Sequence, residues 1–147
     1  MTHADRGAEL FLQGYNCAQS VAMAFSDMTG IDEKTYARLV SPFGGGMGRM
    51  REVCGAVSGM FFVVGQLYGY DAPNPAAQKQ CYATVQMLAE KFRAEAGSII
   101  CRDILKNPPS DPAPTPRSAE YYKQRPCARM VMLAADILDA YISKHPV

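Results

Sequence analysis

Phe43-Gly-Gly-Gly-Met-Gly-Arg-Met-Arg-Glu-Val-Cys54-Gly-Ala-Val-Ser-Gly-Met-Phe-Phe-Val-Val-Gly-Gln-Leu-Tyr-Gly-Tyr70 is the stretch whose reading decides the fold. A glycine-rich turn runs into an almost wholly apolar segment, with Cys54 at the junction. The pattern predicts a loop followed by a central helix from about Met50 to Leu67. Val53, Ala56, Val57, Met60, Phe61, Phe62, Val63, Val64 and Leu67 would wrap all round that helix. A helix apolar on every side is buried, in a protein core or in a membrane. Gly55 and Gly59 lie four apart on one face, at a cost of roughly 1 kcal/mol each relative to Ala, and close approach of a second backbone is the simplest reason for them. Cys54 is placed in the first turn, where free N–H groups and the helix dipole stabilise an anion. Arg49 and Arg51 add positive charge nearby, which together with the helix start favours a thiolate. The alternative is that Cys54 is a small buried hydrophobe.

Working outward, the N-terminal residues predict a short amphipathic helix carrying Ala8, Leu10, Phe11 and Leu12 and ended by Gly14. Asn16 has the chemistry of an N-cap, and Cys17 opens a second helix with Val21, Ala22 and Phe25 on its apolar face. Asp32 caps a third helix over residues 33–40, which Pro42 stops. After the polar turn Asp71-Ala-Pro-Asn-Pro, a long helix from about Ala76 to Ala96 has the inward stripe Cys81, Val85, Leu88 and Phe92. Gly97 ends it, and Cys101 begins a short helical piece. Asn107 to Arg117 is a proline-rich surface loop, excluded from helix interiors and central strands. A turn follows at Ser118–Lys123. The last helix starts at Pro126-Cys127 and buries Met130, Leu133, Ala134, Ile137, Leu138 and Tyr141. No stretch alternates as a strand. The expected architecture is all-α: one domain over residues 1–147, a bundle of five or six helices around a buried central one.

The chain has 147 residues, enough for one domain with a substantial core. Its 15 basic and 14 acidic residues are interspersed, so no electrostatic footprint for nucleic acid is present. The N-terminus shows no signal pattern. The apolar stretch 53–70 is interrupted by Ser58, Gln66 and glycines and falls short of a membrane span. A cytoplasmic protein is expected. His3 and His145 both stand near a terminus, which argues against a Cys–His catalytic pair or a mixed Cys/His zinc site.

That leaves five cysteines. Cys17, Cys54, Cys101 and Cys127 each fall at or within a turn of an expected helix start. Cys81 sits mid-helix on an apolar face and is read as structural. The four are separated by 37, 47 and 26 residues, which excludes zinc-finger spacing and the C-x-x-C redox motif. Only tertiary structure can assemble them, and a bundle with several helix starts at one end can do so.

The order Cys17, then Cys54-Gly55-Ala56-Val57-Ser58-Gly59, then Cys101 and Cys127 resembles the C_GCAxxG_C_C family, small proteins described as redox-active. The central element reads C-G-A-x-x-G here, close to the family's label, and the marks run from residue 17 to residue 127. The resemblance implies a redox function through these four cysteines, names no substrate, and leaves Cys81 outside the pattern.

Three readings follow. In the first, Cys17, Cys54, Cys101 and Cys127 hold a metal, with an iron–sulfur cluster for electron transfer or redox sensing ahead of zinc. Gly45, Gly46 and Gly55 would let backbone approach such a cofactor closely. In the second, no metal is bound. Cys54 is then the attacking thiolate of a thiol–disulfide oxidoreductase, and one of the other three is its resolving partner. In the third, the protein is a non-catalytic adaptor with packed cysteines and a contact surface around Tyr121 and Tyr122. The sequence ranks the metal site first, because four thiols exceed what a dithiol exchanger needs. The partner expected is a redox protein, and so apolar a central segment is compatible with a homodimer. Phe43-Gly-Gly-Gly-Met-Gly-Arg lacks the ending of a phosphate loop and the spacing of a dinucleotide fingerprint.

Overall fold

Gly55–Tyr68 forms the central helix, α5 in chain order, and Gly55–Met60, Val63 and Val64 are buried in it. The computed structural model describes residues 1–147. Ahead of α5 come α1 (His3–Leu12), α2 (Cys17–Ala24), α3 (Ser26–Thr29), α4 (Glu33–Val40) and a 3-10 turn (Ser41–Phe43). After it come α6 (Pro75–Ala96), α7 (Cys101–Leu105), α8 (Ala119–Gln124) and α9 (Cys127–Lys144). The fold is all-α, as the periodicities require. It has nine helices rather than five or six, because α3, α7 and α8 are pieces of four to six residues that leave no periodic signature.

The helix starts follow the capping chemistry. Asn16 and Gln19 form a reciprocal capping box at α2. Asp32 accepts from the Thr35 N–H at α4, and Asn74 from the Ala77 N–H at α6, with Pro75 at its first position. Gly97 closes α6 in the left-handed conformation. Along α6, Leu88 and Phe92 are buried, while Cys81 and Val85 are only partly so.

α5 packs on α2, α6 and α9, and α1 lies across α2 and α9. The reason for Gly59 is direct: a Cβ there would stand 2.6 Å from the Ala18 carbonyl oxygen on α2. A Cβ on Gly55 would meet Cys17 Cβ at 3.1 Å, so this face brings the start of α5 onto the start of α2. Close helix contact, rather than lipid, explains the apolar segment, and no helix is long and apolar enough to cross a membrane. α5 is not closed on every side, however. Phe61 and Phe62 are partly buried, and Gly65 and Gln66 are exposed.

The central helix begins five residues later than Met50. Met47, Arg49 and Arg51 take left-handed backbone angles among Gly45, Gly46 and Gly48, so the chain coils instead of starting a helix. The coil is closed by Arg51 N–H to Gly45 O (3.2 Å) and Glu52 N–H to Gly46 O (2.8 Å). Gly46 is needed twice over: its φ is +75°, and a Cβ would stand 2.7 Å from Cys101 Cβ.

Candidate functional site

The coil then pairs with the segment before α7. Val53 and Ile100 form an isolated antiparallel bridge. Cys54 N–H donates to Ile99 O at 2.7 Å, and Cys101 N–H to Glu52 O at 2.6 Å. These bonds bring the start of α5 beside the start of α7. Cys54 is thus the N-cap of α5 rather than a first-turn residue, and Cys17, Cys101 and Cys127 are the first residues of α2, α7 and α9.

All four line one cavity of about 430 Å³, together with Gly45, Gly46 and Gly55. Arg49, Arg51, Arg117 and Arg125 also line it, and no carboxylate does. Pro112, Pro114 and Thr115 of the proline-rich loop close one side. Cys81 and the two histidines lie elsewhere. His3 bonds Asp27 and Asp139, and His145 stacks on Tyr141.

The thiols are free and unequal. The Ala56 and Val57 N–H groups lie near enough to Cys54 to favour its thiolate, as its helix start promises, yet burial outweighs both and pushes its thiol up to about 12. Neither Arg49 nor Arg51 turns toward it. Arg51, itself buried, donates to Cys101 Sγ at 3.6 Å and to Pro109 O at 2.9 Å. Burial still raises the Cys101 thiol, and the Arg51 contact only opposes it. Cys17 and Cys127 lie close enough for each to shift the other's titration. The neighbouring Cys17 thiol is the main cause that lowers Cys127 to about 7, with Arg125, Arg117 and Tyr121 acting in the same direction. Cys17 is correspondingly raised, first by its neighbour Cys127 and then by burial. Of the two, Cys127 is the thiol that ionises first.

The surroundings of Cys127 contain residues that motif reasoning does not select. Arg117 donates to Phe11 O (2.9 Å) and Tyr15 O (3.0 Å), and its guanidinium lies 4.2 Å from the Phe11 ring centroid. Tyr121 and Tyr122 pack against Phe11 and each other, so they are not the free aromatic surface the adaptor reading needs. Arg125, two residues before Cys127, was the one available signal: a cation beside a helix-start thiol.

No three His, Cys, Asp or Glu side chains stand in metal-binding arrangement in this conformation. The four thiols suit a soft metal in kind, but they are spread along the cavity wall.

A family model described as "Putative redox-active protein (C_GCAxxG_C_C)" matches residues 15–141. Comparison with curated proteins and with solved structures gave no match.

Proposed function

Because the chain belongs to the C_GCAxxG_C_C family, described as redox-active, we propose that it exchanges electrons through a dithiol made of Cys127 and Cys17. The observation that carries this reading is that Cys17 and Cys127 line one arginine-lined cavity as mutually coupled thiols, with Cys127 lowered and Cys17 raised. The Cys127 thiolate attacks one sulfur of a disulfide on a partner protein or small molecule. A mixed disulfide forms and the partner's second sulfur leaves as a thiolate. Cys17 loses its proton to solvent and attacks Cys127 Sγ. A Cys17–Cys127 disulfide forms, and the partner's first sulfur leaves as a second thiolate. Two electrons pass from the dithiol to the partner. Cys54, held protonated by burial, is not the attacking group in this scheme.

The test is to treat reduced protein with 2-hydroxyethyl disulfide and map the product by mass spectrometry. One Cys17–Cys127 bond per chain is expected, and none in Cys127→Ser. A product centred on Cys54, or no intramolecular bond, would overturn the reading.

The convergence of all four family cysteines on one cavity favours a second reading. In it Cys17, Cys54, Cys101 and Cys127 hold an iron–sulfur cluster, or zinc, with Gly45, Gly46 and Gly55 allowing close approach of backbone. A cluster would supply one-electron transfer there. The thiols would first have to turn toward a common point. Iron, sulfide and zinc analysis of anaerobically purified protein decides it. Stoichiometric iron and sulfide, lost in Cys54→Ser, would replace the dithiol.

A further inference from the structure

The cysteine cavity carries more positive charge than its sulfurs can balance. Arg49 is paired with Asp111 at 3.2 Å. Arg51, Arg117 and Arg125 take part in none of the molecule's ion pairs. Acids near them in sequence are engaged elsewhere, Glu52 with Arg102 and Glu120 with the Gln124 amide. Arg51 is only 5% exposed, and its side chain donates to one neutral carbonyl, Pro109 O, and to Cys101 Sγ at 3.6 Å. The Arg117 donors go to the Phe11 and Tyr15 carbonyls and the Tyr122 hydroxyl, all of them neutral. The Arg117 and Arg125 guanidiniums stand 5.1 Å and 5.2 Å from the centroid of one ring, Tyr121, which also lines the cavity. Arg125 is near enough to Cys101 and Cys127 to act on both thiols, and Arg117 on Cys127. Three guanidiniums thus gather about the sulfurs without a carboxylate.

A guanidinium keeps its charge at any ordinary pH, and a buried charge is costly unless it is paired. One ionised thiol would offset only one of the three. Such an arrangement favours a ligand that itself brings negative charge to the sulfurs. We propose, resting on the dithiol reading above, that the oxidant of this cavity is a small disulfide with a carboxylate on each arm. Carboxylates match the planar fork of a guanidinium, which would hold the arms while Cys127 meets the disulfide. Burial decides for a small molecule over a folded protein. Cys54, Cys101 and Cys127 are 6%, 7% and 9% exposed, in a cavity walled on one side by the proline-rich loop. A protein's disulfide would have to displace that wall, whereas a slender molecule suits a space of about 430 Å³. In each turnover the dithiol gives up two protons and two electrons, the Cys17–Cys127 bond forms, and the disulfide becomes two molecules of a carboxylate-bearing thiol.

Two sulfur-free probes isolate the charge: octanedioate, which has the chain length of 3,3′-dithiodipropionate, and 1,8-octanediol. In ligand-observed NMR with the full reduced chain, octanedioate should bind about tenfold tighter or more, the size of one hydrogen bond to a charged group. Reaction is then followed with 3,3′-dithiodipropionate, 2-hydroxyethyl disulfide and cystamine, an anion, a neutral molecule and a cation. Each rate is divided by the rate of the same disulfide with 2-mercaptoethanol. The dianion should be fastest and cystamine slowest, about tenfold or more apart. Arg125→Gln should remove most of both preferences, and Arg125→Lys should keep them. A ratio between disulfides cancels any change in the reactivity of Cys127 itself. Octanedioate no tighter than the diol, or rates that ignore charge while the Cys17–Cys127 bond still forms, would overturn the anion preference and leave the dithiol standing. Tight octanedioate binding with no such bond formed would overturn the dithiol, and the substrate assignment with it. Faster reduction of insulin, per disulfide, than of the dianion would make a protein the oxidant and overturn the small-molecule assignment.

Discussion

Cys54 and Cys127 stand at nearly equivalent places on their helices, yet their thiols move in opposite directions. Both are buried, so burial alone does not separate them. What differs is the partner. Cys54 is favoured as a thiolate only by nearby backbone N–H groups, whereas Cys127 has the Cys17 thiol, Arg125 and Arg117 near it. The thiolate form is the nucleophile, so alkylation of Cys127 should be slow below pH 7, rise through about 7, and level off above it. In Cys17→Ala the principal stabilising neighbour is gone, and the midpoint should move upward toward an ordinary thiol. Site-resolved iodoacetamide labelling across pH 5–10 checks both. An unchanged midpoint in Cys17→Ala would assign the shift to the arginines instead. That Cys17, Cys54, Cys101 and Cys127 stand at helix starts was legible in the sequence, because helix starts are written in capping residues such as Asn16. It could not rank them, because burial and a neighbour 110 residues away are tertiary quantities.

At the scale of elements, α2 and α5 pack closely, and two glycines of α5 give opposite expectations. Gly59→Ala drives a methyl into the Ala18 carbonyl on α2, and backbone cannot yield as a side chain can. It should destabilise by about 1–3 kcal/mol. Gly65→Ala meets nothing within 4 Å on an exposed helical face. It should stabilise by about 0.5–1 kcal/mol through helix propensity. Urea unfolding of both variants is the measurement. The pairing of Gly55 and Gly59 on one face could be read from spacing, whereas the delayed start of α5 could not. Met47, Arg49 and Arg51 adopt a conformation that ordinary side chains rarely take, and nothing in their residue type announces it. The loop hydrogen bonds and the Val53–Ile100 bridge hold them there.

Across the whole molecule, the proline-rich loop is a wall held by two arginines of the glycine coil. Arg49 donates to Asp111 O and to Thr115 Oγ1 at 2.7 Å, with a 3.2 Å ion pair to Asp111, and Arg51 donates to Pro109 O. Few apolar contacts secure a loop of that composition, so these bonds should dominate its position. Arg49→Ala should therefore raise the rate of proteolysis within residues 107–117 several-fold. It should also raise the alkylation rate of Cys101 at fixed pH, with little change in the melting temperature. Limited proteolysis and labelling test this, and an unaltered cleavage rate would show that packing alone holds the loop. A proline-rich surface loop was legible in composition. Its use as the cavity's wall was not, because the tie runs from Arg49 and Arg51 to residues about 60 positions away.

The dispersal of the cavity along the chain also sets a timetable. Cys17 emerges from the ribosome 110 residues before Cys127, an interval of roughly 5–20 s at ordinary elongation rates. During that interval the nascent chain carries Cys17 and then Cys54, which later lie on one cavity, while α9 does not yet exist. An oxidant met then can join only the cysteines already made, and a Cys17–Cys54 link would occupy the sulfur that Cys127 needs. The proposed Cys17–Cys127 pairing thus depends on synthesis finishing before oxidation begins, a constraint on birth order that a contiguous C-x-x-C motif would never impose.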